Sequence, residues 1–129
     1  MPARRLELSV LPGRFAVCRL APSSPVPAWL PAHGFVSVTR TADELSIVCE
    51  ESRVPAGVKM QAGWVGLALR GPVEFSEVGV LASLAEPLAK AGIGIFVIST
   101  FDTDYLLVAQ ENLDRAAAAL TAAGHTIRS

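Results

Sequence analysis

Apolar residues recur along this chain in two rhythms, and the change from one to the other falls near its middle. In the first sixty residues the rhythm is that of strands. Positions 6–11 and 14–20 read as two strands on either side of a Pro12, Gly13 turn, which predicts a hairpin. The stretch 21–31 holds four prolines and cannot sustain a long helix, because each ring removes an amide donor and clashes with the preceding turn. Beyond it, Phe35, Ser37 and Thr39 alternate with Val36 and Val38, and Leu45, Ile47 and Cys49 alternate with Ser46, Val48 and Glu50. With Asp43 and Glu44 between them, these runs form a second predicted hairpin.

The second half changes period. An apolar strand over 64–69 ends at Gly71 and Pro72, which break regular structure. Val80, Leu81, Leu84 and Leu88 then recur at i, i+1, i+4 and i+8, one face of a helix, with Gly92 as its stop signal. Pro87 is the irregularity, since a proline that deep removes a helical hydrogen bond at a cost of roughly 3 kcal/mol and nothing local calls for it. Residues 93–99 are nearly continuous apolar sequence, as in a strand buried on both faces, and 105–109 form a partner strand after a polar turn at 100–104. Glu111, Asn112 and Asp114 open an alanine-rich helix that Gly124 ends, and 125–128 suffice for a last strand. The order βαββαβ predicts an α+β, ferredoxin-like module with two helices on one face of a four-stranded antiparallel sheet and the other face open to partners.

Composition narrows the function classes. The 129 residues carry 11 Lys+Arg against 12 Asp+Glu, a net charge of -1 with no block of like charge, so the electrostatic footprint of a nucleic-acid binder is missing. Mean hydropathy is positive, at +0.44, but charged residues interrupt every apolar stretch short of the roughly 20 residues a membrane span needs. No secretory signal is read at the N-terminus, and the expected compartment is the cytoplasm. Cys18 and Cys49 lie inside apolar runs, as small core residues do. His33 and His125 stand far apart and away from Cys or paired carboxylates, so no metal and no cofactor is expected.

Three segments together carry a resemblance: Phe75, Ser76, Glu77, Val78, Gly79, Val80, Leu81; then Glu86, Pro87, Leu88, Ala89; then the run ISTFDTDYLLV from Ile98 to Val108. The pattern resembles ACT domains, and within them the ACT_7 type of small prokaryotic proteins with tandem ACT-like modules, related to the CASTOR arginine sensors and to the regulatory region of aspartate kinases. It covers residues 64–120 well, whereas the first sixty match in strand order alone. The resemblance therefore implies a degenerate, β-rich ACT-like module over 1–60 followed by an ACT domain over 61–129. It also implies a non-catalytic, amino-acid-sensing function, with the ligand at the seam between modules. Carried over to this chain, the contact residues are Glu77, Val78, Gly79 and Val80 at the helix start, Thr100, Phe101, Thr103 and Asp104 in the hairpin, and Gly94 and Ile95 on a strand of the partner module. The sensors have an aromatic residue where Thr103 stands and four modules in one chain, so a homodimer is needed to rebuild the seam.

Elementary chemistry fits such a site. Free amides of Val78, Gly79 and Val80 at a helix start would meet an α-carboxylate, with Gly79 allowing close approach. Asp104 and Asp102 would hold an α-ammonium, Glu77 a polar or cationic side chain, and Phe101 would wall the pocket. Each of these residues also has a bland reading, as a dipole-complementing carboxylate, an Asx turn or a packing glycine. The competing function is a protein–protein interaction or dimerisation module with no ligand. An enzyme is disfavoured, because Glu77 and Asp104 have no histidine, cysteine or lysine beside them in the motif and no phosphate loop is present.

Overall fold

The computed structural model describes residues 5–71 and 78–129. In chain order the elements are β1 (Glu7–Val10), β2 (Phe15–Leu20), β3 (Ser37–Arg40), β4 (Leu45–Glu50), β5 (Lys59–Leu69), α1 (Val80–Lys90), β6 (Phe96–Ser99), β7 (Asp104–Ala109), α2 (Leu113–Ala122) and β8 (Thr126–Arg128). They form two compact units, Met1–Pro12 with Val65–Ser129, and Gly13–Trp64. The expected division at 60/61 keeps β1 with β2; in the structure β1 belongs to the unit that contains both helices.

In that first unit the strand order is β6-β7-β5-β1-β8. Strand β1 is antiparallel to β5, with Leu8 opposite Leu69, and parallel to β8, with Leu8 opposite Ile127. A fifth strand is thus inserted into the predicted four-stranded arrangement. The predicted hairpin of 6–11 with 14–20 is not formed, because β1 pairs with β5 and β8 while β2 pairs with β4 and β5. Alternation identifies a strand and its inward face but says nothing about its neighbour, which is why the local turn at Gly13 misled. The predicted strand 93–99 also shortens, to Phe96–Ser99. Phe96, Val97 and Ile98 are half-buried and Ser99 is exposed instead of enclosed, since among the described residues β7 is the one strand paired with β6.

Both helices pack their apolar stripes on one face of this sheet. Val80, Leu84 and Leu88 of α1 and Ala116 and Leu120 of α2 are buried against Leu8, Leu67, Leu69, Leu106 and Val108. Each fully buried leucine contributes about 1.5–3 kcal/mol relative to exposure. Both helices stop in the same way: Gly92 at φ +74 and Gly124 at φ +99 turn the chain left-handed, which L side chains resist. The following amides of Ile93 and His125 then donate back to Leu88 and Leu120, each at 3.0 Å. That closure directs Ile93 and His125 inward, and both are buried.

The second unit has strand order β3-β4-β2 followed by the first part of β5, and no α-helix. Its core of Ala16, Cys18, Leu45, Ile47 and Cys49 is covered by Trp29, Leu30 and Val36 from the proline-rich loop. Phe15 and Phe35 add an edge-to-face pair with centroids 5.8 Å apart. Both cysteines are free and buried, as their apolar surroundings in the sequence led one to expect. Burial pushes the Cys49 thiol up to about 11, with Cys18 and Glu50 adding to the rise, so it stays protonated and unreactive at neutral pH.

Candidate functional site

Two chain segments of the first unit hold the described residues expected to meet a ligand at the helix start and hairpin. Helix α1 begins at Val80, preceded by Gly79 at φ +85 and ψ +1. Its first turn is tied by the Ser83 amide to the Gly79 carbonyl at 3.0 Å and by the Ser83 hydroxyl to the Val80 carbonyl at 2.7 Å. The amides of Val80, Leu81 and Ala82 therefore have no intrahelical acceptor, and no side chain caps them among the described residues. The helix donors thus begin two residues later than the expected set of Val78, Gly79 and Val80. Gly79 takes a left-handed backbone, and among the described residues nothing lies within 4 Å of where a Cβ would stand. Val78 is 86% exposed, whereas the Val80 side chain is turned into the core and offers its backbone alone. Glu77 lies outside the described residues.

The hairpin between β6 and β7 is held from within. Ser99 and Asp104 are opposite each other at its base, and the Ser99 hydroxyl donates to the Asp104 carboxylate at 2.5 Å. The Thr100 amide donates to the Thr103 carbonyl at 2.8 Å, and the Thr103 amide to the Thr100 hydroxyl at 3.3 Å. Thr103 also anchors the turn to β5, its hydroxyl donating to the Leu69 carbonyl at 2.9 Å. Gly71 allows this approach, because a Cβ there would lie 3.0 Å from the Thr103 Cβ and 3.1 Å from the Asp102 carbonyl oxygen. Phe101 at the tip is 81% exposed. The turn is thus seated where β5 ends, with one carboxylate fixed in direction and an aromatic ring presented outward.

The remaining two residues lie elsewhere. Gly94 and Ile95 precede β6 instead of lying on it, Gly94 exposed and Ile95 packed on the core. Both follow the C-terminal end of α1, an 11-residue helix about 16 Å long by its rise. One chain therefore does not bring them to the helix start.

The charges next to β5 are paired. Arg70 and Arg128 both reach the Glu7 carboxylate, at 3.3 and 2.6 Å, which links β1, β5 and β8. The Arg128 hydrogen bond foremost, with the charges of both arginines, holds the Glu7 carboxyl below the usual carboxylate range. Among the described residues no group of three His, Cys, Asp or Glu is placed to hold a metal ion. None of the described helices is long and apolar enough to cross a membrane.

Sequence reasoning missed a groove of about 610 Å³ between α1 and α2, lined by Ser83, Pro87, Ala91, Ala119 and Ala123, with His125 among them. None of the ten expected contact residues lines it. Its signal was present as Pro87, for the residue four positions earlier, Ser83, must find another partner for its carbonyl.

A family model for the ACT domain, ACT_7, matches residues 59–122, and a model described as an N-terminal domain matches 13–57. Residues 59–122 of the chain belong to the ACT domain family. A crystallised protein from Agrobacterium tumefaciens is 46% identical, with a TM-score of 0.92 over 97% of this chain and 93% of that one. The human cytosolic arginine sensor for mTORC1 subunit 1 is 29% identical over 104 residues, 72% of this chain. This ACT protein spans about 30% of that relative's length. The regulatory subunit of aspartate kinase from Thermus thermophilus shares the fold at 13% identity, with a TM-score of 0.62 over 88% of this chain and 96% of that one.

Proposed function

We propose that this ACT protein is a non-catalytic regulatory module that binds a free amino acid where modules of two copies of the chain meet. The observation that carries the reading is the hairpin, locked by Ser99 and Thr103 so that the Asp104 carboxylate and the Phe101 ring are held ready at the end of β5. A carboxylate fixed in this way suits an α-ammonium group, and the first turn of α1, which no side chain caps among the described residues, suits an α-carboxylate. Phe101 and Val78 flank the ligand, Thr100 and Thr103 shape the turn, and Glu77 meets the ligand side chain. Gly94 and Ile95 are then contributed by the second copy, because a helix length separates them from the site in their own chain. Amino acids as the ligand class agree with the names of the human arginine sensor and of the aspartate kinase regulatory subunit. Action in the cytosol agrees with the first of these names.

One observation favours the second reading, a dimerisation or docking module without a ligand. The Thr103 hydroxyl and the Ser99–Asp104 pair are already satisfied within the chain. Thermal melting against each of the twenty amino acids decides between them. A ligand that binds the folded state alone stabilises it by about 2.7 kcal/mol at a hundred times its Kd. The first reading predicts a selective rise in Tm that Asp104→Ala abolishes, since losing one partner of a desolvated charged hydrogen bond costs about 2–5 kcal/mol. A flat response to all twenty leaves the docking module.

A further inference from the structure

Among the described residues His125 is the buried polar side chain, 4% exposed, and both its ring nitrogens are engaged. The Leu6 amide donates to Nδ1 at 3.1 Å, and only a ring nitrogen without a proton can accept. The proton therefore sits on Nε2, which lies 2.9 Å from the Ser83 carbonyl oxygen and donates to it. That carbonyl has no helical donor of its own. In a regular helix the amide of residue 87 would bond it, and residue 87 is proline. Ser83 in turn grips the first turn of α1 twice, through its amide to Gly79 and its hydroxyl to Val80. At the other end, Leu6 leads into β1 and accepts the Thr126 amide of β8 at 2.9 Å. His125 itself is aimed by the helix-terminating turn of α2 at Gly124.

We propose that Pro87, Ser83 and His125 form a hydrogen-bonded relay that positions the first turn of α1 against β1 and β8. The proline transfers the hold on Ser83 from the helix to the histidine, so the helix start and the N-terminal strand cannot loosen independently. His125 and Pro87 are positioning residues: neither is among the groups expected to touch a ligand. A ligand held at the helix start would then also order β1, and by reciprocity the order of β1 would set affinity at the helix start. This regulatory meaning rests on the amino-acid-binding reading, but the relay is tested without any ligand and stands or falls separately.

The test uses the full chain in solution. Long-range nitrogen–proton NMR reads the His125 tautomer directly; the relay requires the proton on Nε2, and a proton on Nδ1 overturns it. Amide hydrogen exchange of Pro87→Ala and His125→Phe supplies the second arm. Pro87→Ala returns an amide donor to the Ser83 carbonyl, so exchange should slow at Ser83 and beyond in α1 while the Leu6 amide exchanges faster, by up to about tenfold for one weakened buried hydrogen bond. Slowing at both places, or no change at Leu6, means plain helix repair and overturns the proposal. His125→Phe keeps the ring volume and removes both bonds, so Leu6 and the first turn of α1 should exchange faster together; a change confined to Leu6 overturns it. If that variant does not fold, the tautomer and Pro87→Ala carry the decision.

Discussion

In the unit of Met1–Pro12 and Val65–Ser129, the sheet lies under two helices whose Leu84, Leu88 and Leu120 are fully buried. In the unit of Gly13–Trp64, strands of similar pattern lie under a proline-rich loop, and the core includes Ala16, Cys18 and Cys49. The strands alone make a scaffold in both. A helix adds a set of first-turn amides with no internal acceptor, and a hairpin fixed against the neighbouring strand adds a directed carboxylate. The first unit has both and the second has no α-helix, so the proposed ligand chemistry rests on the first unit.

The largest effect expected to sharpen this contrast is on packing. Leu84→Ala should cost about 2–5 kcal/mol, the transfer term plus the cavity left between helix and sheet. Cys49→Ala, which removes a single sulfur atom from the other core, should cost about 1 kcal/mol. Urea unfolding measures both, and equal costs would mean that the two cores are equivalent. Next is Gly79→Ala. No described residue lies within 4 Å of the Cβ, so the expected penalty is left-handed backbone strain, about 1–2 kcal/mol. Because the strain falls at the helix start, ligand-dependent stabilisation should fall with it, whereas a fully retained ligand response would detach the helix start from binding.

The smallest effect is electrostatic. Arg128 first, and Arg70 with it, lower the Glu7 carboxyl, so its contribution to folding is present above the ordinary carboxylate range and is lost as pH falls through the depressed value. Wild type should therefore melt slightly higher than Glu7→Gln at pH 7, and the two curves should converge in acid. The gap should shrink with added salt, as for any exposed pair. A gap that persists once pH has fallen below the depressed Glu7 value would mean that Glu7 acts through something other than its charge.

Much of this fold was legible in the sequence because its signals are local. The spacing of Val80, Leu84 and Leu88, the stops at Gly92 and Gly124, and the alternation through Leu45, Ile47 and Cys49 each identified an element and its inward face. The hidden features are long-range. Pairing of Leu8 with Leu69 and Ile127 joins distant parts of the chain, and no local pattern names a strand's neighbour. An apolar run from Ile93 could not reveal that the strand begins at Phe96, because the edge position that sets its burial depends on the rest of the sheet. Of the site, the family pattern indicated the helix start and hairpin. It did not reveal that the Thr103 hydroxyl holds the turn to β5, or that Pro87 hands a carbonyl to His125. Both are contacts between segments that sequence order keeps apart.

The most direct measurement is an amide NMR titration of the full chain with each of the twenty amino acids. Binding at the proposed site predicts that one of them moves the resonances of Val80, Leu81, Ala82, Phe101 and Asp104 and leaves those of Ala16, Cys18 and Ile47 in place. No saturable shift with any of the twenty, or shifts confined to 13–64, would contradict the account.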